Sequence, residues 1–148
     1  MKVPARIGAS CAVLIAALAG PCAAAETSPA GSTSESYVRH LAGLINEYRE
    51  SRGLGPLAFA GELATLAGEH SESMSERRRL SHEGFMARFH RASSKVCVEN
   101  VGRGFPTAET LLDGWRHSPR HHDNLLDPAV SRMGIAASAR YVTFFACR

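Results

Sequence analysis

The chain has 148 residues, with 17 lysines and arginines, 14 acids and seven histidines. Two of its cations, Lys2 and Arg6, lie in an N-terminal segment that reads as a cleaved leader, and without them 15 basic residues face 14 acids, a net charge of +1. That balance excludes general electrostatic binding of nucleic acid, and the 123 residues left make one domain that buries about two-thirds of its unfolded surface.

The leader comprises Lys2 and Arg6, an apolar run from Ile7 to Ala19, and the small residues Ala23, Ala24 and Ala25 before Glu26. This order predicts a secretory signal peptide over residues 1–25, cleaved after Ala25. The apolar run is shorter than the roughly 20 residues a membrane-spanning helix needs, and Pro21 stands where lipidation of Cys22 would need a small residue. The expectation is therefore a secreted or periplasmic protein with no stable membrane anchor. Cleavage leaves Cys97 and Cys147 in an oxidising compartment, where an even pair points to one disulfide; two buried free thiols are the alternative.

Residues 26–36 carry no large apolar side chain and predict a flexible leader. From Tyr37 the pattern changes, because Tyr37, Leu41, Leu44, Ile45 and Tyr48 fall on one helical face, with Ser36 as cap and Gly53 as stop. Leu63, Leu66, Ala67, His70 and Met74 repeat that spacing in a second helix reaching about Leu80. Residues 81–95 show the apolar pair Phe85 and Phe89 but little period, and residues 96–99 read as a short strand. A third helix follows Thr107, carrying Ala108, Leu111, Leu112 and Trp115 on its apolar face, until Pro119 interrupts it. Met133 to Ala139 and Tyr141 to Ala146 predict an antiparallel hairpin. The mixed order predicts an α+β fold with an antiparallel sheet covered by helices.

Six of the seven histidines lie beyond Leu66. His70 sits on the apolar stripe of its helix and reads as a core histidine hydrogen-bonded through one nitrogen. His82 follows a helix end, where side chains are presented rather than packed. Glu99 ends an apolar strand, and a buried carboxylate there demands a cationic or hydrogen-bonding partner. His117, His121 and His122 cluster after Trp115, with Pro119 breaking the spacing of an obvious metal pair. A His-Glu-His set can bind zinc with an open fourth position or share protons as a network; the spacing decides neither.

Five stretches in register carry a resemblance: Leu44 to Arg49 with Gly55 to Leu57, Leu80 to His82, Val98 to Val101, Trp115 to Leu126, and Met133 to Ala136. In that order they resemble the bacterial branch of the CAP (SCP) family, which includes cysteine-rich secretory proteins and plant pathogenesis-related proteins. The resemblance implies a CAP domain over residues 37–148, folded as a three-layer α-β-α sandwich with a cleft floored by two histidines and two acids. His82 matches the first histidine, Glu99 the first acid and His121 the second histidine, the last through Ser118-Pro119-Arg120-His121 against the family's Ser-Pro-Gly-His. Ser118 stands where many members carry the second acid, and Arg120 replaces a glycine at the cleft mouth.

The functional expectation is a secreted, monomeric ligand-binding or interaction module whose cleft of His82, Glu99 and His121 takes a small molecule, lipid or peptide. The alternatives are a peptidase-like hydrolase using zinc or another divalent metal on the same three residues, and a structural protein of the cell envelope. Whether there is any enzymatic activity is not legible, because the fold does not imply one. Trp115 is expected to be structural, filling the space between its helix and the sheet.

Overall fold

The computed structural model describes residues 29–148, so the predicted signal segment 1–25 lies outside the described residues. The elements run α1 (Pro29–Ser51), β1 (Ala58–Phe59), α2 (Gly61–Glu76), α3 (Phe85–Arg91), β2 (Cys97–Arg103), α4 (Ala108–Arg116), α5 (Pro119–Leu125), β3 (Arg132–Ser138) and β4 (Tyr141–Cys147). The strands form one sheet in the order β1-β3-β4-β2. The hairpin β3–β4 and the pair β2–β4 are antiparallel, whereas β1 joins β3 in parallel. The sheet is therefore mixed, and its two-residue β1 is too short to leave a periodic signal in the sequence.

Residues alternate across β4, the buried central strand. Val142, Phe144 and Ala146 face the cluster that holds Leu41 and Ile45 of α1, Leu111 and Trp115 of α4, and Leu125 of α5. Phe145 and Cys147 face Leu63, Leu66 and Ala67 of α2, with Phe85 of α3 packed alongside. Side chains two apart share a face of a strand, so one strand serves two cores and the layers are α1/α4/α5, sheet, and α2/α3. This is an α-β-α sandwich. Gly134 allows α2 to sit directly on β3, since a Cβ there would stand 2.0 Å from Ala64 N. Among the described residues no helix is long and apolar enough to cross a membrane.

Four boundaries differ from the sequence reading, the first being that of α2, which ends at Glu76 and not near Leu80. Helix α1 begins at Pro29, so residues 29–36 of the expected flexible leader belong to it, and Ser36 is not its cap. The sequence of that stretch has no apolar period, yet a helix already nucleated at Tyr37 extends at little cost per added residue. At its other end Gly53, with φ of 77°, ends the helix as expected. The strand predicted over 96–99 runs on to Arg103, because polar Glu99 and Asn100 occupy buried ladder positions. Finally, Pro119 starts a helix instead of only interrupting one: it stands in the first turn of α5, where its missing N–H is no loss.

Trp115 is 2 % exposed and donates its Nε1–H to Val101 O at 3.1 Å. Its ring also lies 6.1 Å from that of Phe144. Replacing it with Phe keeps an aromatic ring but leaves a buried carbonyl without its donor, which should cost about 1 to 3 kcal/mol. Urea unfolding would read this directly, and an unchanged midpoint would show that the indole N–H contributes nothing.

Candidate functional site

The site is built around Glu99, whose side chain is 1 % exposed. An isolated carboxylate in that position would be very costly, and the fold supplies a cation against it. Arg88, on α3, reaches Glu99 with two arms of its guanidinium: Nε donates to Oε2 at 2.8 Å and Nη2 to Oε1 at 2.9 Å. Its remaining arm, Nη1, donates to Glu83 O at 2.9 Å and so ties down the turn that carries His82. This two-pronged fit to a carboxylate is the strong form of the contact.

His82 adds a third bond, with Nδ1 lying 2.9 Å from Glu99 Oε1. A carboxylate only accepts, so Nδ1 donates to it, which fixes the tautomer in which Nε2 is the acceptor whenever the ring is neutral. The ring itself is half-exposed. Behind it, His70 donates Nε2–H to Ser81 O at 2.8 Å, pinning the same turn from the core, and that nitrogen is 3.8 Å from Glu99 Oε1. His70 is thus the core histidine the sequence indicates, although it also borders the acid.

The second wall of the site comes from α5. Asn124 Nδ2 donates to Glu99 O at 3.0 Å and to Asn100 Oδ1 at 2.9 Å, while Asn100 Nδ2 donates to His121 O at 3.0 Å. This amide clasp docks α5 on β2 and turns His121 into a cleft of about 370 Å³ shared with His82, Glu99, Arg120, Phe85 and Val98. The structure therefore brings His82, Glu99 and His121 together from positions up to 39 residues apart. The neighbouring histidines go elsewhere: His122 Nε2 meets the Tyr48 hydroxyl at 2.9 Å, and exposed His117 folds back on Asp113 O.

The expected zinc set of His82, Glu99 and His121 meets a competitor inside the fold. Among the described residues no three His, Cys, Asp or Glu side chains are grouped to hold a metal ion. The physical reason is Arg88. Its guanidinium occupies both oxygens of Glu99, so a metal would have to displace a buried cation from the only acid in the set. The residues present do not fit a resident divalent ion.

Burial lowers the His70 pKa from its ordinary 6.5, more than the nearby Glu99 raises it. His121 is lowered too, first by burial and then by repulsion from His82. Both rings are therefore held neutral in the fold and bind protons more readily once unfolded. Their contribution to stability is complete above about pH 6.5 and is lost as the pH falls below it. The carboxylates with lowered values, such as Glu109 at about 2 beside His40, act only at lower pH. The melting temperature should thus fall between about pH 7.5 and 5, and a rise over that interval would contradict the environments of both rings.

The sequence reading assigns no role to Arg88, and it holds Asn100 and Asn124 only as members of the stretches that resemble the family. A signal for Arg88 exists: it lies three residues after Phe85 and beside Phe89, inside a segment without a regular pattern, while Glu99 calls for a cation. The two asparagines lie within resembling stretches, but their bond across 24 residues is invisible until the strand and helix are placed.

The cysteine-rich secretory protein (CAP) family model matches residues 42–147. The protein YkwD of Bacillus subtilis strain 168, itself uncharacterised, is 27 % identical over 116 residues, covering 74 % of this chain and 45 % of YkwD. The chain thus spans less than half the length of that relative. Among solved structures, an extracellular SCP-domain protein of Bacillus anthracis superposes with a TM-score of 0.77 at 22 % identity, over 84 % of this chain and 45 % of that one. An outer surface protein of Borrelia burgdorferi gives 0.71 at 20 % identity, over 78 % of this chain and 94 % of its own. A cysteine-rich secretory protein of Staphylococcus aureus gives 0.71 at 22 % identity, over 77 % of this chain and 38 % of its own. Family match and sandwich agree, and the chain belongs to the CAP family of cysteine-rich secretory proteins.

Proposed function

We propose that this chain is an exported ligand-binding module, that the cleft between α3 and α5 is its binding site, and that it works without a resident metal. The observation that carries the reading is the internal neutralisation of Glu99 by Arg88. With its acid already paired, the cleft offers a ligand His82 Nε2, the His121 ring, exposed Arg120 and the apolar flank of Phe85, which suits recognition of a partly polar, partly apolar group. Export is supported by the Cys97–Cys147 disulfide and by the extracellular and outer-surface relatives above.

A metal-free hydrolase is the second reading, and His82 is what favours it. The bond from Nδ1 to Glu99 Oε1 points Nε2 away from the acid, the orientation of a general base. Binding is preferred because the residues lining the cleft include no serine or threonine hydroxyl and no free thiol for that base to activate.

The test is a screen of short peptides, fatty acids and N-acetylated sugars against the mature protein, followed through the ring proton signals of His82 and His121. A binder that shifts both, with no turnover and no zinc retained after dialysis against a chelator, is expected. Stoichiometric retained zinc, or binders that shift only other surfaces, would overturn the reading. Turnover lost in His82→Ala would favour the hydrolase.

A further inference from the structure

The floor of the cleft is the free edge of the sheet. Strand β2 is an outer strand, and its residues alternate in which way their backbone groups point. Val96 O accepts from Arg148 N of the neighbouring chain segment. Val98 and Asn100 turn the same way, toward β4, while Cys97, Glu99 and Val101 turn outward. Two side-chain bonds mark that outward direction: Asn124 caps Glu99 O, and Trp115 Nε1 caps Val101 O. Helices α4 and α5 thus close the edge from Glu99 O onward. Among the described residues the edge groups still open are the N–H and C=O of Cys97 and the N–H of Glu99, and Cys97, Val98 and Glu99 all line the cleft.

We propose that this three-group edge accepts an extended acidic peptide as an added strand. The inference rests on the reading of the cleft as a binding site and names its ligand class. A donor, an acceptor and a second donor spaced along a strand match a peptide backbone, the ligand used in other cases of strand addition. The walls then set the side chains. Paired residues on adjacent strands share a face, so peptide side chains opposite Cys97 and Glu99 lie toward Phe85 and His82 on the α3 side. The one opposite Val98 lies toward His121 and Arg120 on the α5 side. Arg120 is exposed and has no acid within ion-pair distance among the described residues, so that position takes an acidic residue, and its neighbours take apolar ones. Because Asn124 already occupies Glu99 O, only one peptide N–H is used, the one donated to Cys97 O.

The probe is an acetylated hexapeptide of alternating valine and glutamate, with its valine–lysine counterpart as control, added to the mature, oxidised protein. Amide hydrogen exchange is read by NMR together with the His82 and His121 ring signals. With free peptide about tenfold above its dissociation constant, exchange at Cys97 and Glu99 should slow about tenfold. Val98, already bonded to β4, should not change. The glutamate peptide should bind more tightly than the lysine peptide, and Arg120→Glu should reverse that order. N-methylation should abolish binding at one peptide position and be tolerated at the next. Ring shifts without protection at Cys97 and Glu99 would overturn strand addition and leave the cleft as a binding site. Failure of the peptide to bind, while another ligand shifts both rings, would also overturn it. Ring signals that respond to no ligand would sink the cleft reading itself.

Discussion

Replacing Arg88 with Met should lower the unfolding free energy by about 3 to 5 kcal/mol, the usual consequence of leaving one member of a buried ion pair without its partner. The guanidinium supplies two bonds to Glu99 and one to Glu83 O, and methionine keeps much of its apolar stem but none of those donors. Glu99 would then have only His82 Nδ1 and the more distant His70, and would either take up a proton or draw in water. The double variant Arg88→Met with Glu99→Leu should recover most of the loss, since apolar replacement of a whole buried pair is often neutral or stabilising. Urea unfolding of the parent, the two single variants and the double variant measures the coupling. If Arg88→Met loses less than about 1 kcal/mol, comparable to an exposed pair, Arg88 is not the partner that makes a buried Glu99 tolerable.

That pair also shows what is legible in the sequence. Glu99 announces itself by chemistry, as an acid closing an apolar strand, and His82 by following a helix end. The amphipathic faces of the long helices and the hairpin are readable because their periods persist over several turns or alternations. Arg88 is readable only as a cation that Glu99 calls for, not from its helix, since α3 spans seven residues and so short a helix cannot separate a period from chance. Helix α5 is hidden for a different reason: Pro119 breaks a helix interior but favours a helix start, and only the packing of Leu125 into the core decides which applies. The zinc expectation takes no account of that same Arg88. Two histidines and a glutamate look alike in sequence whether the glutamate is free or already paired.

Reduction of the Cys97–Cys147 disulfide should cost about 4 kcal/mol, the chain-entropy value for a loop of this length, which spans 50 positions. The two cysteines stand directly opposite each other on β2 and β4, with Cα atoms 4.1 Å apart, in the closely spaced, non-hydrogen-bonded class of antiparallel pair. The bridge thus fits the register that the rest of the ladder already imposes, and most of its effect falls on the unfolded chain. A domain of this size has about 5 to 15 kcal/mol in total, so the reduced protein should remain folded at room temperature while melting about 15 °C lower. The local consequence follows from position. Cys97 is at the end of β2, where the ladder would otherwise fray, and it is two residues from Glu99. Without the bridge, amide exchange at Val98 should accelerate more than at Gly102, deeper in the same strand, and the cleft edge should lose its fixed geometry before the core does. Urea melts and amide exchange of the oxidised protein and of Cys97→Ala/Cys147→Ala test both halves. Equal midpoints would show that the bridge adds nothing to stability, and uniform acceleration along β2 would show that it does not act as an anchor for the cleft.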